Sequence, residues 1–264
     1  MNSVRSVVVP VVFFVAAAFG IRLGLARQAA IARRRIGKPL GEDALDAERV
    51  WRRKLPGDAV RLLMVGDSLA AGLGATKPKE TLGGRLARAL AKQIGAPVVL
   101  RSVAVVGSES SDLAAQLETL THEDEVDVAV IVVGGNDVTH RISAVDSARH
   151  LTEAIIRLHE RGARVVVGTC PDLGALRPVP QPLRGLASRL SRRLADVQAE
   201  AAERSGAAHV SLRRTVGPLF FDEPEQMFSL DRFHPSALGY RRTADALLPA
   251  VVAALGERRR VSVR

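Results

Sequence analysis

The sequence predicts an α/β fold, a three-layer α/β/α sandwich around a parallel five-stranded sheet, with an apolar amino-terminal segment ahead of it. Three observations predict it. Beyond residue 58, short β-branched runs alternate with longer stretches of helical periodicity. Each run leads into a helix, or into a loop leading to one, which is the pattern of a parallel sheet covered on both faces through right-handed crossovers. Glycine, serine, asparagine and aspartate collect just after the runs, where an open sheet of this kind binds its ligands.

Residues 1–26 read as a signal or membrane-anchor segment. Residues 7–21 are apolar except for the breaks at Pro10 and Gly20, and Arg5 precedes them; a stretch apolar on all sides has no single face to pack on a domain. Arg22, Arg27, Arg33, Arg34, Arg35 and Lys38 follow it, an excess that by the positive-inside preference keeps the next domain in the cytoplasm. Ala16, Ala17 and Ala18 instead offer the small residues of a signal-peptidase site, which implies export. Both orientations stand, so the segment implies a protein either held at the membrane or exported, with the side of the membrane open. Residues 27–58 read as a charged linker, helical or loose, 59–256 as the globular domain, and 257–264 as a basic tail.

Within the domain the spacing predicts strands over 60–65, 98–105, 126–133, 164–169 and 207–212. Helices are predicted over 82–94, 111–120, 143–160 and 183–204, and a last one over 237–255 closes the fold. Hydrophobic residues make up 47% of the chain and aromatics only 3%, so the core is aliphatic. Cys170 is the one cysteine, which excludes an intramolecular disulfide and a cysteine-built zinc site. The net charge of +10 suggests nucleic acid until its distribution is considered. Residues 1–60 hold eleven Lys/Arg against five Asp/Glu, and the last eight hold four Arg against one Glu. The domain between is nearly neutral, so the basic ends point to anionic lipid and not to a nucleic-acid groove.

The loops after the strands carry the chemistry. Gly66-Asp67-Ser68 follows the first strand, where a sharp turn into a helix exposes a hydroxyl beside backbone N–H groups. Asp231-x-x-His234-Pro235 precedes the last helix. That spacing lets a carboxylate hold one imidazole nitrogen while the other faces a serine. Ser68, Asp231 and His234 are therefore the candidate catalytic residues. Acyl transfer also needs donors for an oxyanion. The backbone N–H groups of Ser68 and Gly107 and the side-chain amide of Asn136 are the candidates. Ala70 departs from the Gly-x-Ser-x-Gly elbow of other hydrolases.

Taken together, these residues resemble the SGNH, or GDSL, hydrolase superfamily. Gly66-Asp67-Ser68-Leu69 matches its nucleophile block, Gly107 its glycine block, Gly134-x-Asn136-Asp137 its asparagine block and Asp231-x-x-His234 its last block, in the expected order across residues 61–255. Ser102 stands where the family often has asparagine. The resemblance implies a flavodoxin-like sandwich, ester hydrolysis with no metal and no cofactor, and oxyanion roles for Ser68, Gly107 and Asn136.

Phe220, Phe221, Met227 and Phe228 cluster ahead of Asp231 and are the candidate wall of an acyl pocket. Residues 171–186 hold four prolines and form a candidate lid or rim. The expected partner is a small acyl ester, from a lipid or an acylated carbohydrate. Two alternatives stand beside hydrolysis: acyl transfer to another acceptor on the same fold, and a non-catalytic flavodoxin-like binding module. The second has no use for Asp231 or His234, and Gly72-Leu73 lacks the lysine of a phosphate loop.

Overall fold

The computed structural model describes the backbone of residues 2–261 and the side chains of residues 19–256. The β-branched runs form five parallel strands: β2 (Val60–Gly66), β3 (Val98–Ser102), β4 (Val128–Val132), β5 (Arg164–Gly168) and β6 (Ala208–Val210). They lie in the order β3-β2-β4-β5-β6. A further strand, β1 (Arg49–Trp51), joins the β3 edge antiparallel, with Arg49 opposite Leu100 and Trp51 opposite Val98. The stretch read as a linker thus supplies a strand that covers an otherwise open edge.

Because side chains alternate along a strand, the buried strands feed two cores. Leu62 and Met64 of β2 and Val128 and Val130 of β4 face one core, which α3 (Leu82–Ile94) and α11 (Ala237–Val261) cover with Leu86, Leu90, Leu247 and Val251. Leu63, Val65, Ala129 and Ile131 face the other, beneath α4 (Leu113–Glu118) and α6 (Ala144–Glu160) with Leu117, Leu151 and Ile155. Each fully buried aliphatic side chain contributes roughly 1.5–3 kcal/mol. Local signals set the helix ends. Thr81 Oγ1 accepts from the Gly84 N–H at 3.0 Å to start α3, and Ser143 Oγ accepts from the Asp146 N–H at 3.1 Å to start α6.

One helix, α1 (Asn2–Ile36), runs from the amino-terminal segment into the region read as linker. The side chains of the apolar run before Phe19, and those of the basic tail, lie outside the described residues. Among the described residues no helix is long and apolar enough to cross a membrane. Beyond Arg22 the helix meets the domain near α7 (Leu183–Arg204).

The strand order creates a topological switch point. The chain leaves β2 for β3 on one side and returns to β4 on the other, opening a crevice at their carboxyl ends. Ser68 and Asn136 follow the two strands that bound it.

Candidate active site

At the end of β2, Gly66 takes φ +132°, and a Cβ there would lie 1.9 Å from the Val132 carbonyl oxygen. Only glycine lets β2 and β4 approach this closely while the chain turns. Asp67 then caps the short helix α2 (Ser68–Ala71), its carboxylate accepting from the Leu69 N–H at 2.9 Å. Ser68 opens that helix and is mostly buried. Burial pushes the Asp67 carboxyl up to about 6, against the Leu69 N–H and the attraction of His234, which pull it down; the nearby Asp137 carboxylate pushes it up further.

The second half of the site comes from the loop before α11. Phe228 bridges to Pro235, and the Ser229 N–H donates to the His234 carbonyl at 2.8 Å, folding residues 229–234 into a closed turn. Inside it the buried Asp231 carboxylate accepts from Ser229 Oγ and from the Phe233 and His234 N–H groups at 3.0, 2.9 and 3.0 Å. Its other oxygen lies 2.5 Å from His234 Nδ1, and His234 Nε2 lies 2.9 Å from Ser68 Oγ. Burial raises the Asp231 carboxyl, but the bonds from His234 and the two backbone N–H groups outweigh it and hold the carboxyl below its ordinary value. An ionised Asp231 fixes the imidazole with Nδ1–H toward it and Nε2 free to accept from the serine.

Asn136 opens onto the same crevice, and its amide donates to the Ser108 carbonyl at 2.9 Å, leaving its second N–H uncommitted to that bond. Gly107 lies in the loop after β3 at φ +88°, exposed and outside the cavity lining. Asp137 faces inward, completely buried, accepting from Ser147 Oγ at 2.6 Å and from the Ser110 N–H. It anchors α5 (Gly135–His140).

Beside Ser68 and His234 opens a cavity of about 80 Å³ with mostly apolar walls. Phe220 and Phe228 line it, edge to face with centroids 4.9 Å apart, and Phe233 joins them. Phe221 and Met227 do not. Just after α8 (Leu212–Thr215), residues 217–222 form the helix α9 (Gly217–Asp222), so neighbouring side chains point about 100° apart and Phe221 turns away when Phe220 turns in. Met227 ends α10 (Pro224–Met227) fully buried, under Gly239. The proline-rich segment supplies the opposite wall through Leu173, Ala175 and Leu176. Among the described residues no three His, Cys, Asp or Glu side chains gather as a metal-binding group.

Two buried glutamines hold the loops in register, and nothing in their sequence context marks them. Gln116 of α4 accepts from the Gly66 N–H at 2.9 Å and donates to the Gly66 carbonyl and Ser108 Oγ at 2.8 and 3.0 Å. Gln198 of α7 accepts from the Cys170 N–H at 2.7 Å and donates to the Val133 carbonyl at 2.9 Å. Each supplies the backbone partners that a strand loses where it leaves the sheet.

A flavodoxin-order sheet thus brings Ser68, His234 and Asp231 into one hydrogen-bonded line at its switch point. The family model of the GDSL-like lipase/acylhydrolase family matches residues 64–242, and the chain belongs to that family. It is 43% identical over 209 residues to the GDSL-like esterase Rv1075c of Mycobacterium tuberculosis, an alignment covering 79% of this chain and 66% of that protein. The fold is shared with the crystal structure of TesA, at a TM-score of 0.60 and 22% identity over 74% of this chain and 99% of that one. It is shared also with the lipase Lip_vut3 from a goat rumen metagenome, at 0.61 and 19% over 72% and 97%.

Proposed function

We propose that the chain hydrolyses carboxylic esters of short acyl groups through an acyl-enzyme on Ser68. The observation that carries this is the hydrogen-bonded line from Asp231 through His234 to Ser68 Oγ, at 2.5 and 2.9 Å, opening onto an apolar cavity. The cavity's volume of about 80 Å³ is far below the ~300–1,000 Å³ of sites for larger ligands, which favours a short acyl chain.

In the reaction so read, His234 Nε2 takes the proton from Ser68 Oγ as that oxygen bonds to the ester carbonyl carbon. The carbonyl oxygen gains the negative charge, which the Ser68 and Gly107 N–H groups and the Asn136 amide receive. Imidazolium, held by Asp231, returns its proton to the leaving alcohol as the C–O bond breaks. Water, deprotonated by His234, then attacks the acyl-serine and releases the acid and free Ser68.

The test is hydrolysis of p-nitrophenyl esters from acetate to octanoate by the full chain, beside Ser68→Ala, with fluorophosphonate labelling of both. Hydrolysis favouring short chains, and its loss with the labelling in Ser68→Ala, is the expected result. Hydrolysis that survives Ser68→Ala, or a parent neither active nor labelled, would refute the reading.

We infer as well that the amino-terminal segment seats the protein on an anionic lipid surface. Phe19, Ile21 and Leu23 of α1 are 68, 64 and 63% exposed beside the exposed cations Arg22 and Arg27, a pairing that suits an acyl–headgroup boundary. Flotation of the full chain with phosphatidylglycerol vesicles, and its loss on deleting residues 1–23, is the expected outcome. A chain that stays at the bottom of the gradient overturns it.

A further inference from the structure

The segment of α1 nearest the domain lies outside the stretch matched by the family model, yet it reaches the cavity wall. Residues 25, 28–32 and 36 are its less exposed positions, and Leu25, Gln28, Ala29, Ala32 and Ile36 among them are spaced as one face of a helix. Ala32 is buried in the cluster that contains Leu173, Leu176 and Val179, against which Phe228 and Phe233 pack. Four of those five side chains, all but Val179, line the acyl cavity.

Three polar contacts fix the docking. Gln28 Oε1 accepts from the Leu183 N–H at 2.9 Å, satisfying a free amide at the start of α7, where Pro182 offers no side-chain cap. Arg35 donates to the Pro178 carbonyl at 3.4 Å, within the proline-rich wall. From the other side, the Arg232 guanidinium donates to the Arg35 carbonyl at 3.1 Å, one of the carbonyls left unpaired at the end of α1, where a cation is also favoured by the helix dipole. Arg232 lies between Asp231 and His234 and holds a left-handed φ of 55°, a conformation that persists in a non-glycine residue only where its surroundings enforce it.

We propose that α1 is a strap joining the proline-rich wall to the catalytic loop and limiting the depth of the acyl cavity, with Gln28 and Arg232 as positioning residues and Ala32 as the contact that sets the wall. The inference rests on the ester-hydrolase reading for its substrate, and on the docking alone for its mechanics. The anchor and the specificity pocket are then one unit, and the domain cut free of residues 1–36 has a different acyl preference from the full chain.

The test compares the full-length parent with the double variant Gln28→Ala/Ala32→Asp in a mild non-ionic detergent, with Leu23→Ser as a control on the undocked part of α1. Releasing the wall deepens the cavity, so the ratio of kcat/KM on the octanoate ester to that on acetate is expected to rise about 10-fold in the double variant and to stay within about twofold in the control, on the scale by which added methylenes discriminate in apolar pockets. General damage to the fold would lower both activities and not raise their ratio. Amide exchange of residues 172–186 should quicken in the double variant while that of α3 is unchanged. An unchanged or falling ratio overturns the proposal even where exchange quickens, and unchanged exchange overturns it even in a parent that hydrolyses no ester. That last case would remove the esterase reading separately.

Discussion

The phenolic hydroxyl of Tyr240 donates to the carbonyl oxygen of Leu73 at 2.6 Å, both buried. The bond joins the first turn of α11, which follows His234, to the loop that follows Ser68. Two segments more than a hundred and sixty residues apart in sequence are thereby held at the separation their hydrogen bond requires. Burial pushes the Tyr240 hydroxyl well above its ordinary range, with the Asp67 and Asp231 carboxylates adding to the effect, so it stays a neutral donor.

Tyr240→Phe should therefore destabilise the protein by ~1–3 kcal/mol, the cost of leaving a buried carbonyl without its donor. It should also slow fluorophosphonate labelling of Ser68, because Ser68 and His234 lose a shared brace. Thermal unfolding and labelling rates measure the two effects. A variant less stable but labelled at the parent rate would show that the bond serves the fold alone.

A second prediction concerns pH. With its carboxyl pushed up to about 6 from 3.8, Asp67 holds its proton in the folded chain over a range where the unfolded chain has lost it. The folded state then binds more protons than the unfolded state between about pH 4 and pH 6, so stability falls as pH rises through that window. The loss is on the order of 3 kcal/mol and persists above it. Asp231 is shifted the other way, and its contribution is lost as pH falls, but that loss is common to parent and Asp67→Asn and cancels between them. The asparagine keeps an acceptor for the Leu69 N–H and carries no charge. Asp67→Asn should accordingly be more stable than the parent at pH 7.5 and nearly equal to it at pH 4. Urea unfolding at both values decides this, and parallel pH profiles would count against a buried, charged Asp67.

Much of this architecture is legible in the residues, for reasons that differ by element. The helix over 82–94 ends where it is expected because periodicity and caps coincide there, and the one over 183–204 does so on periodicity without a side-chain cap. β1 escapes notice because three residues show no alternation, and its strand conformation comes from the open edge of β3. Residues 212–227 look irregular because glycine and proline break them into turns of one or two helical repeats. Without a helix there is no facing rule, so Phe220 and Phe221 look equivalent although only Phe220 reaches the cavity. Nothing in the sequence around Gln116 and Gln198 marks them. Their role depends on which strand ends lie opposite, which is a tertiary fact. Ser68, Asp231 and His234 stand out earlier because each occupies a short, ordered motif.

Gly74 shows the same limit and leads to a third prediction. It belongs to no motif, yet it takes φ +106°, and a Cβ there would lie 2.6 Å from the Pro235 carbonyl oxygen and 3.1 Å from His234 Cβ. The backbone after Ser68 thus forms a floor on which the His234 loop rests, and its closeness requires the missing side chain. Gly74→Ala should push that loop away from Ser68 as well as force a strained φ. Since displacing a reacting group by about 1 Å can lower turnover ~100-fold, a large fall in kcat is expected with little change in KM for short esters. An alanine variant with parent kcat would mean that the His234 loop yields without losing its bond to Ser68, and that the floor sets stability only.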